Sequence, residues 1–231
     1  MKKVAVLQSN YIPWKGYFDI INDVDLFIFY DDVQYTTRDW RNRNKIKTSQ
    51  NVKWLTLPVG SNTSRFIYEV ELVGTKWKKQ HYSLLQHSYA RTPFFHKYKE
   101  FLEYVYFEKE WKYLYELNRY LIIEISQKFL NIKTEFFDSR DFSTYGTKHE
   151  KLLSLVKAAN ASHYISGPAA RDYIVEKDYE DAGIKIIWKD YNGYPEYSQL
   201  YPPFEHNVSV LDLLFNVGED AYYYIWGWRD K

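Results

Sequence analysis

The sequence predicts an α/β protein with a mostly parallel central sheet, helices on both faces and a helical insertion in the middle of the chain. Three observations carry that expectation. Two apolar runs, Val4–Leu7 and Leu26–Tyr30, are separated by a short amphipathic stretch. Apolar residues recur at helical spacing between about 76 and 131. The last third alternates helix-like and strand-like segments, the pattern of a β-α-β unit.

The first strand runs into Gln8-Ser9-Asn10-Tyr11-Ile12-Pro13-Trp14-Lys15-Gly16-Tyr17, a polar loop that leads into the first helix. The second strand ends in Asp31-Asp32-Val33-Gln34-Tyr35, followed by the basic, amide-rich segment Arg38–Lys47. Lys53–Val59 and Phe66–Val73 have strand character, and the turn-forming Gly60–Ser64 between them suggests a hairpin. In the middle, Trp77, His81, Leu84, Leu85 and Ser88 share one helical face, and this helix stops before Pro93. A second helix spans about Trp111–Leu130, with Leu114, Leu117, Leu121, Ile122, Ile125 and Phe129 as its apolar stripe.

Thr147 and Glu150 read as a capping box for the next helix. His163–Ser166 is a short strand, Gly167-Pro168 opens another helix that ends near Gly183, and Ile184–Trp188 is a strand. From Tyr191 the chain is loop-rich, until Ser209 caps a short helix carrying Leu211, Leu213, Leu214 and Phe215. The expected organisation is one α/β domain over 1–231. It comprises an N-terminal β-α-β and hairpin (1–75), a helical insertion (76–131), and a C-terminal β-α-β with its tail (132–231).

Composition narrows the function classes. A formal net charge of +1 supplies no global field for a nucleic acid or a membrane surface. The absence of cysteine excludes disulfides, thiolate catalysis and cysteine-ligated metals. No apolar run reaches the roughly 20 residues of a membrane span, so a cytoplasmic location is expected. The 24 Tyr and 8 Trp carry polar handles and suit the walls of a sugar or nucleobase pocket as well as a core.

Candidate site residues cluster at predicted strand ends, where open α/β sheets bind ligands. Asn10, Tyr11 and Lys15 lie in the first loop, where amides and a cation suit an anion. Asp31 and Asp32 point to opposite sides of an extended chain, and Asp32 is the candidate base. Gln34 follows them. Arg41 and Arg43, with Asn42 between them, offer guanidinium forks for a diphosphate, although charge runs are also ordinary solvated faces. His81 could serve as a general base or be a core histidine. Ser166 could bind phosphate or simply cap a helix. In the tail, Tyr194 and Tyr197 are candidate walls, and His206 is a candidate base near Glu205 and Asp212. No metal site is indicated.

Several long strings resemble the WbqC-like family: residues 7–19, 30–36, 39–46, 166–173, 194–200 and 203–218. The resemblance covers nearly the whole chain, and these strings include every candidate above except His81. The resemblance implies an enzyme of bacterial surface-polysaccharide (O-antigen) biosynthesis that makes or modifies unusual amino sugars. The expected activity is acyl or aminoacyl transfer to the amine of a nucleotide-linked amino-dideoxy sugar. No tightly bound cofactor is expected, and the donor stays open. An aminoacyl-tRNA is one candidate donor because of the basic segment. Two other readings remain: an ATP-dependent ligase or nucleotidyl transferase on a sugar or amino acid, and a non-enzymatic carbohydrate- or nucleotide-binding module.

Overall fold

A computed structural model describes residues 1–230. Strand β1 (Lys3–Leu7) leads through helix α1 (Lys15–Asn22) to β2 (Leu26–Phe29). A hairpin, β3 (Arg43–Lys47) and β4 (Val52–Thr56), follows. Helices α2 (Lys76–Tyr89), α3 (Phe95–Glu103) and α4 (Leu114–Glu124) form the middle of the chain. Then come β5 (Glu135–Asp138), α5 (Lys148–Ala158), β6 (His163–Ser166), α6 (Glu176–Asp181), β7 (Lys185–Trp188) and α7 (Val210–Val217).

The main sheet has the order β5-β2-β1-β6-β7, and every neighbouring pair is parallel. The expected α/β class with a parallel sheet is borne out. Alternation along the strands builds two cores. Ala5, Phe27, Phe29 and Ile165 face α1, the middle helices and α7. Val4, Val6, Leu26, Ile28 and Tyr164 face α5 and α6. Because both faces are covered, β1 and β2 read as continuous apolar runs rather than alternating ones.

The hairpin lies one element earlier than the sequence suggests. β3 comes from the basic segment and pairs antiparallel with β4, with Lys45 opposite Trp54. Its inward side chains, Asn44, Ile46 and Leu55, are buried, while Arg43, Lys45 and Trp54 share the outer face. The expected strand at 66–73 is instead a 3₁₀ turn over Ile67–Glu69. The Glu69 carboxylate closes it by accepting from the Phe66 amide at 2.8 Å.

Two capping details also differ. Thr147 makes no side-chain cap, and Lys148 takes a left-handed φ of 47°, so α5 begins without the expected capping box. Gly167-Pro168 opens a 3₁₀ turn over Pro168–Asp172, and α6 starts only at Glu176. Ser209 does cap α7, its hydroxyl accepting from the Leu211 amide at 3.2 Å. No helix among the described residues is long and apolar enough to cross a membrane.

Candidate functional site

The chain leaves β1 toward β2 on one side and leaves β6 toward β7 on the other. The carboxyl ends of β1 and β6 therefore form the switch point of this sheet, where such folds open a crevice. The loop after β1 and the tail after β7 meet there. Trp14 stands edge-on to Tyr191 and Tyr194, with centroids 5.3 and 5.9 Å away. The tail is tied down by backbone bonds from Ser209 to Lys45 and from Val210 to Pro13, at 2.8 and 2.9 Å.

Beside these contacts opens a cavity of about 280 Å³ lined by Asn10, Pro13, Trp14, Trp40, Asn44 and Asn207. Asn44 positions its rim by donating to the carbonyls of Tyr11 and Ile12 at 3.1 and 2.9 Å. Ile12 has a φ of 36°, so these bonds hold a left-handed backbone that a β-branched residue disfavours. Trp40 also lines a second cavity of about 280 Å³, with Arg38, Asp39, Arg43, Lys45 and Trp54.

Lys15 is linked to the first cavity through Tyr194, whose ring packs edge-on to the cavity-lining Trp14. It is only 3% exposed, and its ammonium donates to the Pro195 carbonyl at 3.3 Å. The rings of Tyr194, Tyr197 and Phe204 surround it at 4.9, 5.5 and 5.9 Å. Burial lowers its pKa to about 8, against the opposing pull of Asp212, Asp19 and Glu196. His206, next to the cavity-lining Asn207, packs edge-on against Phe204 at 4.6 Å. Burial and the Lys15 charge hold its imidazole below the ordinary histidine range. Its Nδ1 is buried with no hydrogen-bond partner among the described residues. Asp212 supports the cluster from below, accepting from Tyr89 at 2.8 Å, Tyr197 at 2.7 Å and Gln199 at 2.8 Å.

The fold thus gathers Lys15, Tyr194, Tyr197 and His206 in one aromatic cluster around Phe204, while Asn10 lines the cavity that Trp14 joins to it. Arg43 belongs to the adjoining cavity, its guanidinium 4.1 Å from the Trp54 ring centre. Arg41 is tied within its own loop, donating to Thr36 at 2.9 Å and pairing with Asp39. Asn42 is buried and donates to the Leu57 carbonyl at 3.1 Å, which joins the loop to the end of β4. Gln34 lines a separate cavity with Ser64, Arg65, Phe66 and Glu69. Ser166 is buried at the end of β6, beside the Tyr164 phenol.

Two of the candidate bases lie apart. Asp32 pairs with Lys151 at 2.6 Å and accepts from the Ser139 hydroxyl. His81 is in the core, where its Nδ1 meets the Tyr11 hydroxyl at 2.9 Å and its Nε2 meets the Thr56 carbonyl at 3.2 Å. The Tyr11 hydroxyl also contacts Tyr106 at 2.6 Å. Burial lowers the His81 pKa to about 4, and both ring nitrogens are engaged. The geometry of His81 and Tyr11 is that of a satisfied core pair. Sequence reasoning missed Trp54, because only the hairpin register shows that it stands opposite Lys45. It also missed Arg119, an isolated charge on a helix whose partners lie far away in sequence.

A family model described as the WbqC-like protein family matches residues 8–224. The chain is also similar to the protein named "Uncharacterized protein Rv1507c" of Mycobacterium tuberculosis (strain ATCC 25618 / H37Rv). The two are 47% identical over 224 residues, covering 96% of each chain. No solved structure matches the chain. By the extent of the family match and of this relative, the chain belongs to the WbqC-like protein family.

Proposed function

We propose that this protein transfers an acyl or aminoacyl group to the amine of a nucleotide-linked amino-dideoxy sugar in bacterial surface-polysaccharide biosynthesis. One observation carries the reading. A cavity walled by two indoles and three side-chain amides is joined, through the Trp14–Tyr194 contact, to a cluster holding a histidine whose pKa burial and the Lys15 charge lower and a lysine whose pKa burial lowers to about 8. Indole faces and amides suit a sugar ring and its hydroxyls.

In this reading the sugar amine attacks the acyl carbon of the donor, forming a C–N bond. His206 takes the proton the amine loses, as a neutral imidazole can. The bond from the acyl carbon to the donor's leaving group then breaks, and that group departs with the proton from His206. Protonated Lys15 offsets the negative charge that develops on the carbonyl oxygen.

The test is incubation with nucleotide-linked amino sugars and a panel of activated acyl and aminoacyl donors, read by mass spectrometry. An amide product, reduced at least 100-fold in His206→Ala, supports the proposal. Release of AMP or pyrophosphate from ATP and Mg²⁺, with no activated donor present, would replace it with a ligase.

A further inference from the structure

The outer face of the hairpin is built unlike an ordinary solvated strand pair. Trp40 and Trp54 leave 43% and 40% of their surfaces exposed, with ring centres 5.4 Å apart. Solvated hairpins seldom present two neighbouring indoles to water, and such a patch marks a binding surface. Cations border both rings. The Arg43 guanidinium lies 4.1 Å from the Trp54 ring centre, and the Lys45 ammonium lies 5.2 Å from Trp54 and 5.9 Å from Trp40. Arg43 donates to the Arg38 carbonyl at 2.6 Å, while its Nε is buried with no partner among the described residues. Arg38 completes the cavity from a loop tip held at a φ of 55°.

We infer that this face, Trp40 and Trp54 with Arg38, Arg43 and Lys45, seats a nucleoside diphosphate, its base on the indoles and its phosphates on the three cations. The inference rests on the reading above that the substrate is nucleotide-linked, and it assigns the nucleotide half of that substrate. Trp40 also walls the neighbouring cavity, so a diphosphate held here places the attached sugar toward Asn10 and Asn207. Base stacking on aromatic rings tolerates any base. The acidic side chain in the lining, Asp39, is already engaged by the Trp40 amide, Thr36 and Arg41. Purine and pyrimidine diphosphates are therefore expected to bind within about tenfold of one another. The occupant is a mononucleotide rather than a nucleic-acid strand. Three cations are enough for one diphosphate, and a net charge of +1 supplies no global field for a nucleic acid.

Titration of the full chain with ADP, UDP and GDP, read by quenching of tryptophan fluorescence and by calorimetry, tests the inference. Trp54→Ala and Arg43→Ala are expected to weaken each diphosphate about tenfold or more, with Trp54→Phe restoring most of the affinity. His206→Ala is expected to bind normally. Pyrophosphate alone should bind more weakly than ADP, because it lacks the stacked base. No saturable diphosphate binding, or affinity unchanged in both hairpin variants, would overturn the site. So would affinity that climbs with each nucleotide added to a single-stranded RNA. Binding that behaves as expected without any turnover would sink the transferase reading and leave this site standing. Amide formation with an unchanged KM in Trp54→Ala would do the reverse.

Discussion

Arg119 donates through Nε to the fully buried Asp31 at 2.7 Å, joining α4 to the end of β2 across 88 residues of sequence. The other carboxylate oxygen of Asp31 accepts from the Ser9 amide at 2.9 Å, so the same group fixes the loop after β1. Arg119 also pairs with Asp138 at the end of β5. One side chain therefore holds three carboxyl-end segments of the sheet in place.

Removing that cation leaves Asp31 buried without its counter-charge. Arg119→Met is expected to cost about 3–5 kcal/mol, because breaking one partner of a buried pair is worse than never having the pair. Urea unfolding checks this. The double variant Asp31→Asn/Arg119→Met should recover part of the loss, and a double variant no more stable than the single one would show the pair is not the cause.

Acid stability is expected to depend on His81. Its folded-state pKa of about 4 lies below the ordinary value of 6.5. Between these values the unfolded chain binds one more proton than the folded chain. Stability is therefore lost as pH falls from 6.5 through 4, by up to about 3 kcal/mol. His81→Asn should be less stable at neutral pH but lose less on acidification. Denaturant midpoints at pH 7 and pH 4.5 decide it, and an unchanged acid loss in the variant would assign the effect to other groups.

The rate of the proposed transfer should have two limbs. His206 acts as base only when neutral, so kcat/KM falls on the acid side below the ordinary histidine range. Lys15 supports the reaction while protonated, so the rate falls again above about pH 8. A pH–rate profile of Lys15→Arg should lose the alkaline limb, since guanidinium stays charged. Persistence of that limb would point to a different titrating group.

Gly16 is required by packing rather than by its backbone. A Cβ added there would meet the Trp14 indole at 2.3 Å. Gly16→Ala should displace Trp14 from the cavity wall, cost about 1–3 kcal/mol and weaken ligand binding. Thermal melts and the tryptophan emission spectrum read both effects. A variant with native stability and an unchanged spectrum would mean that Trp14 yields freely.

Legibility tracked how local the cause of each feature is. β1, β2 and the middle helices follow from apolar runs and helical spacing, signals carried by neighbouring residues. The opposite facing of Asp31 and Asp32 was likewise readable, since alternation sends one inward to Arg119 and the other to Lys151. The hairpin was displaced because Arg43–Lys47 carries a single apolar side chain, Ile46, and looks hydrophilic in sequence although Asn44 and Lys47 are buried with it. β5, a four-residue edge strand with two exposed positions, has too little apolar signal to stand out.

His81 and His206 show the boundary most plainly. Both are histidines near apolar residues, and sequence treats them alike as candidate bases. Tertiary packing sets one between Tyr11 and Thr56 with both nitrogens engaged, and the other beside Lys15 with one nitrogen unpartnered. The sequence by itself determined the α/β class, the strand ends that carry polar loops and the family resemblance, because pattern and motif are properties of contiguous residues. Only the tertiary structure decided the strand order, the Trp40–Trp54 face and which candidates share the Lys15 cluster. Those depend on contacts between segments as far apart as Lys15 and Pro195, whose meeting no local pattern encodes.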